Sequence, residues 1–235
     1  MRNSEGRMRT TRMLLLFGIP FATLCLVLVG CNFPYNMYFL MPEDKDPAEC
    51  KRLASEDGKK EVKVVLWTYM ALDTREEFIQ ADRYLALKLA EEIHRLSEEN
   101  SEKVTVIKPN LVEQYKSRHP NWQTLDPETV GHDFHADYVI DLEIDKLSLY
   151  ERGANQQIYR GQAQILVSVL DMKHPDDIKS KEFNDRYPVE ARGDMTPFDV
   201  TPTSFREKFL EHAAKRLAFF FVDHKRRTER VMMDD

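Results

Sequence analysis

The sequence predicts an α/β domain, a two-layer sandwich whose mixed parallel and antiparallel sheet is covered by helices mainly on one face. Three observations lead there. In the first half, short runs of β-branched residues alternate with helix-period runs, the pattern of β-α units. In the second half, two long stretches of strict alternation are separated by turn residues, the pattern of a hairpin. An amphipathic run near the C-terminus then reads as a closing helix. The predicted order is β-α-β-α-α-β-β-β-α.

Each element has its own reason. From Glu61, Val62, Val64 and Leu66 alternate with Lys63, Val65 and Trp67, a strand. Residues 74–99 read as one long helix, with Phe78, Leu85, Leu89, Ile93 and Leu96 on one face. Lys103 to Lys108 is a second strand stopped by Pro109, and residues 110–117 form a short helix broken at His119-Pro120. Asp126-Pro127 starts another helix, with Asp as N-cap and Pro at the first helical position. In residues 137–149, Tyr138, Ile140, Leu142 and Ile144 face one way, while Asp137, Asp141, Glu143 and Asp145 face the other. Gly153-Ala154-Asn155 supplies the turn, and residues 158–171 the hairpin partner. A weaker strand is expected at 181–189. Ser204 and Glu207 read as a capping box opening the last helix at Phe205. In the run Phe219-Phe220-Phe221 at its end, Phe219 is the ring expected to point outward.

The N-terminus carries a different signal. Arg2, Arg7, Arg9 and Arg12 precede an apolar run from Met13 to Val29, which ends Leu28-Val29-Gly30-Cys31. Charge followed by an apolar stretch is the order of a secretory signal. The tetrapeptide resembles the bacterial lipobox. That resemblance implies diacylglyceryl attachment to Cys31, cleavage between Gly30 and Cys31, and a membrane anchor facing the periplasm. The competing reading is an uncleaved transmembrane segment; at 17 residues the run lies at the short edge of what spans a bilayer. The resulting organisation is a signal peptide at 1–30, a lipidated tether at 31–60, the domain at 61–222 and a charged tail at 223–235. Asn32 is not the Asp that retains enterobacterial lipoproteins in the inner membrane, which leans toward the outer one.

Composition narrows the function. The chain of 235 residues is 42% hydrophobic and 31% charged, enough to bury a core. Removing the signal's four basic groups and one acid from 34 and 40 leaves 30 against 39, a net charge of −9. An acidic chain does not read as a nucleic-acid binder. Of three Cys, Cys25 leaves with the signal and Cys31 is capped by lipid, so Cys50 has no intramolecular disulfide partner.

The order of elements, the Lys103–Pro109 run KVTVIKP, and the step His135-Ala136-Asp137-Tyr138-Val139 before the hairpin carry a resemblance. They resemble the periplasmic lipoprotein domain shared by CsgG-like curli-secretion proteins, the penicillin-binding-protein activator LpoB and the TolB N-terminal domain. There the step reads Gly-Ala-Asp-Tyr-Val; here His135 stands in place of Gly. The whole chain also resembles lipoproteins of planctomycete-type bacteria. The resemblance spans residues 61–222 and brings no catalytic motif.

Among candidate chemistries, Asp141, Glu143 and Asp145 line one strand face, where carboxylates serve as acid and base or as the solvated side of an antiparallel strand. Arg160 is a candidate cross-strand partner for them. His132 and His135, spaced i,i+3, and His119 are the nearest approach to a metal site. A third ligand is not specified by the spacing, so no metal and no cofactor are assigned. Arg192-Gly193-Asp194 matches an adhesion tripeptide but is ordinary turn chemistry. No nucleophile elbow, zincin, dinucleotide or phosphate-loop motif occurs. The expectation is a non-enzymatic binding or assembly module of the cell envelope, held to the membrane by lipid and meeting periplasmic protein partners. Its surface candidates are Asp141, Glu143, Arg160, Asp194 and Phe198. The alternative is a metal- or carboxylate-dependent periplasmic hydrolase.

The anchoring reading has a direct test. Cys31→Ser should block lipidation and processing, so the variant should run larger and take up no fatty-acid label. Identical migration and labelling of wild type and variant would support the transmembrane reading instead.

Overall fold

The computed structural model describes residues 45–55, 59–70, 78–189 and 195–225. Its sheet is organised around Val62–Met70 (β2), flanked by Val104–Val106 (β3) on one side and Tyr138–Tyr150 (β4) on the other, both parallel to it. Tyr159–Asp171 (β5) and His174–Tyr187 (β6) continue antiparallel, giving the order β3-β2-β4-β5-β6. The helices are Ala81–Glu99 (α1), Pro109–Arg118 (α2), Pro127–Phe134 (α3) and Pro202–Ala218 (α4). Two short strands, Lys45–Asp46 (β1) and His224–Lys225 (β7), pair antiparallel apart from the main sheet. The mixed sheet and the predicted order both stand.

The alternation of β2 explains why both of its faces are covered. Val62, Val64 and Leu66 point to the side where α1 and α4 lie, and join a core with Leu85, Leu89, Ile93, Phe209, Leu210 and Leu217. Val65 and Trp67 point to the opposite side and form a second, smaller cluster with Val112 of α2 and Val130 of α3. The two long helices thus share one face, and the two short helices cover one end of the other. The rest of that second face, over β4, β5 and β6, carries the polar residues of the alternation.

Several boundaries differ from the sequence expectation, each for a physical reason. Helix α1 begins at Ala81, because Gln80 sits in the left-handed region at φ 65° and Phe78 lies in a preceding 3₁₀ turn. The N-cap of α4 is Thr201, whose hydroxyl accepts the Ser204 N–H at 3.3 Å, with Pro202 in the first turn. That cap precedes the expected Ser204–Glu207 box by three residues. The edge strand β6 begins at His174, well before the expected 181. Its charges and Pro175 mask the strand pattern, and these are the residues that protect an edge from pairing. The N-cap expected at Asp126 is present, accepting the Glu128 N–H at 3.0 Å. His135 ends α3 at φ 51°, the left-handed conformation that glycine adopts freely.

The domain is also wider than 61–222. Residues 45–53, expected in the tether, lie along the end of α4 as a strap. The N–H groups of Glu49, Cys50, Lys51 and Leu53 donate to the carbonyls of Phe219, Phe220 and Phe221 at 3.0–3.1 Å. These are carbonyls that a helix terminus leaves without intrahelical partners. Leu53 is fully buried. All three phenylalanines are buried as well, including Phe219, which the sequence reading turned outward. Phe219 stacks on His224 at 3.9 Å between ring centroids, so the first residues assigned to the tail belong to the domain. Gly30, Cys31 and Asp194 lie outside the described residues.

The core assignment is testable by truncation. Leu89→Ala and Leu217→Ala should each cost about 2–5 kcal/mol of unfolding free energy. Glu91→Ala, on the exposed face of α1, should stay within about 0.5 kcal/mol. Equal shifts for Leu89 and Glu91 in denaturant titrations would mean the inward face is misassigned.

Candidate functional site

The second face of the sheet holds the most unusual chemistry. Lys116 of α2 follows Val112 by one turn and so points inward with it. Its side chain is 5% exposed. Nζ donates to the Thr68 carbonyl at 2.6 Å and to Glu113 Oε1 at 2.9 Å. The ammonium also lies over Trp122 at 4.7 Å and Trp67 at 5.2 Å from the ring centroids, a cation–π cage. Glu113 turns its other oxygen to Arg83 of α1 at 2.6 Å. One chain of contacts thus links α1, α2 and β2.

Asp141 lies beside this cage, opposite Trp67 in the β2–β4 register. Its Oδ1 is buried with no hydrogen-bond partner. Burial, helped by the Glu143 charge and opposed by Lys116, pushes its carboxyl up to about 6. Glu143 accepts the Tyr69 hydroxyl, and this bond, with burial, pushes the Tyr69 phenol up to about 12. Asp145 is exposed where the β4–β5 register shifts. The structure therefore gathers Asp141 and Glu143 with Lys116, Tyr69, Trp67 and Trp122. A Lys on the apolar stripe of a short helix was the signal in the sequence that the sequence reading left unused.

Arg160 is not part of this cluster. The register pairs Asp141 with Ser168 and Glu143 with Leu166, which puts Arg160 eight residues along β5, about 27 Å from Asp141's partner. Arg160 is nearly buried and bonds Glu151 at 3.0 Å instead. Phe198 is 99% exposed on the loop before α4. The histidines separate. His119 stacks on Tyr115 at 4.0 Å, and its Nδ1 donates to the Tyr115 carbonyl at 2.8 Å. His132 is exposed and lies 3.7 Å from Glu128, and His135 serves as the α3 C-cap. Among the described residues, no three His, Cys, Asp or Glu side chains come together as a metal site requires. Cys50 is half-buried, and burial raises its thiol.

The fold has two unlike poles. Helices α1 and α4 both run toward the strap, where Lys45 Nζ donates to Asn100 Oδ1 at 2.6 Å and Asn100 Nδ2 to the Asp223 carbonyl at 2.6 Å. Their N-termini lie at the other pole, about 28 Å away along α1. There a groove of about 700 Å³ opens between α1, α2 and the start of α4, lined by Ile79, Tyr84, Leu87, Pro109, Arg206 and Leu210. Ile79 and Leu87 are exposed there, and residues 151–158 after β4 and 195–201 before α4 lie at the same pole. No described helix is long and apolar enough to cross a membrane.

No family model and no curated protein matches the chain. Among solved structures, it is similar to lipoprotein GNA1162 from Neisseria meningitidis at 12% identity, covering 53% of this chain and 82% of that one, with a TM-score of 0.39. It is similar to the PelC dodecamer from Paraburkholderia phytofirmans at 8% identity, covering 77% and 97%, with a TM-score of 0.40. It is similar to the hypothetical protein CT253 from Chlamydia trachomatis at 18% identity, covering 68% and 98%, with a TM-score of 0.36. At these scores the likenesses carry no inference about function.

Asp141 should leave a mark on stability. Its folded value, about 6, exceeds the ordinary 3.8, so the folded state holds the proton more tightly. The penalty for ionising it is absent below about pH 4, grows as pH rises to about 6, and is constant above. Asp141→Asn should therefore gain on wild type across that range, by at most about 3 kcal/mol. Parallel stability curves from pH 4 to pH 8 would show that the carboxyl is not desolvated.

Proposed function

We propose that this chain is a lipid-anchored envelope protein, modified at Cys31, and that it works by contact as a non-enzymatic binding module. The observation that carries the reading is the polarity of the fold. The chain arrives at Lys45 and leaves at Lys225 at one pole, paired in β1 and β7. The groove, residues 151–158 and 195–201, and the exposed Ile79 and Phe198 gather at the other. An anchor at the first pole presents the second to whatever lies in the compartment. The sequence resemblance to the CsgG-like, LpoB and TolB N-terminal domains of envelope proteins is compatible with this. Solvent-facing apolar side chains beside a groove are features of contact surfaces.

One observation favours a second reading. A carboxyl raised to about 6 beside a second carboxylate is the arrangement of a general acid with its partner. On that reading Asp141 acts in a carboxylate-dependent hydrolase, and Asp141→Asn removes turnover by ~10²-fold or more.

The test places a photo-crosslinking side chain at Phe198 or Ile79 in living cells, with His94 on the far half of α1 as control. The module reading expects a discrete adduct from the first two positions and none from His94. Adducts from all three alike, or from none, would remove it.

A further inference from the structure

Two buried polar atoms that find no hydrogen-bond partner among the described residues face each other, and we propose that they form a pH-sensitive latch holding the edge strand β6 on helix α4. They are His212 Nε2 of α4 and Asp185 Oδ2 of β6, 3.5 Å apart. Their side chains are 9% and 6% exposed. At that distance, with no hydrogen bond between them, what joins the two is charge. The latch does not depend on which pole of the domain faces a membrane.

Strand β6 ends the sheet and pairs only with β5, so its hold on the helix layer comes from the side chains it turns inward. By alternation these are Lys181, Phe183, Asp185 and Tyr187, while Glu182, Asn184 and Arg186 face outward. Phe183 meets Phe220 edge-on at 5.6 Å, and Tyr187 meets Phe205 at 5.6 Å and the His212 ring at 5.2 Å. Lys181 reaches Glu49 of the strap at 2.6 Å. Asp185 is thus a carboxylate set between apolar grips, and His212 faces it. The other groups around His212 keep their charge. On β5, the register partners of Asp185 and Tyr187 are Ala163 and Gly161, which do not titrate, and Tyr159 is a buried phenol farther along. From α1, Tyr84 and Lys88 meet Glu211 rather than His212. On α4 itself, Lys208, Lys215 and Arg216 lie within about one turn. Phenols, ammonium and guanidinium groups ionise at about pH 10 or above, whereas imidazole changes charge between about pH 5 and 8.

The sign follows from the pair. With the imidazole protonated, a cation faces an anion in a buried contact, and each supplies the counter-charge the other needs. As pH rises the imidazole loses its proton, the attraction goes, and the Asp185 carboxylate is left buried beside a neutral ring. The latch is therefore closed on the acidic side of neutrality and loosened above it. Loosened, β6 uncovers the outer edge of β5 and the rings of Phe183, Tyr187 and Phe205. Asp141 acts in a separate window, since its penalty is constant above about pH 6.

The test is amide hydrogen exchange of the full chain at pH 6 and pH 8, expressed as protection factors so that the intrinsic pH dependence of exchange cancels. Protection of residues 181–187 in β6 should fall several-fold more between the two pH values than that of residues 62–68 in the central strand β2. His212→Gln and Asp185→Asn should each remove that extra loss, leaving β6 and β2 to change in parallel. The wild-type comparison decides without either variant if one of them fails to fold. Parallel changes of β6 and β2 in the wild type would overturn the latch. So would an extra loss in β6 that persists in a folded His212→Gln chain, since another group would then be titrating. An extra loss that a chelator abolishes would assign the pair to a bound metal and overturn the latch as well.

Discussion

The pairing of β2 with a parallel neighbour on each side is the constraint on which the other elements depend. A strand hydrogen-bonded on both edges and buried on both faces must be covered by helices above and below. Helices α1 and α4 supply one cover, and α2 and α3 the other. Because β2 and β4 run the same way, their C-terminal ends meet at one pole and their N-terminal ends at the other. That fixes where the loops, the groove and the strap lie.

Lys116 shows how the second cover is held. Its stem follows the apolar stripe of α2, while its ammonium reaches the Thr68 carbonyl within β2. The cost of desolvating the charge is offset by two hydrogen bonds and two indole faces. Asp141, one strand over, lacks such partners for Oδ1, and its carboxyl rises accordingly. The two side chains share one apolar neighbourhood, and only the lysine finds hydrogen-bond partners in it for the atom it buries.

Much of the fold was legible in the sequence, since it rests on local pattern. The alternation in residues 137–149 and the Asp126-Pro127 start read directly as β4 and α3. What stayed hidden depended on distant partners. The strap at 45–53 has no pattern of its own; its N–H groups find carbonyls some 170 residues away. Phe219 reads as outward on a helical wheel, but the helix ends at Ala218 and His224 folds over the ring. Arg160 looked like a partner for Asp141 because both lie on one hairpin; register, which a sequence pattern leaves open, puts them at opposite ends of it. The acids of β4 were visible, but the cage beside them was not, because it joins three elements through one lysine.

The strap also bears on when the domain can finish folding. A chain made from its N-terminus exposes residues 45–53 long before their partners at 219–225 exist. Those contacts are among the most distant in sequence that the domain makes, and contacts of that kind slow folding because a large loop must close first. Until then Leu53 has no pocket, and β2 lacks the cover that α4 provides. The nascent domain therefore has only α1 over that face until its last helix has emerged. A truncation that removed only the final few described residues would strike the same joint as a deletion near residue 50.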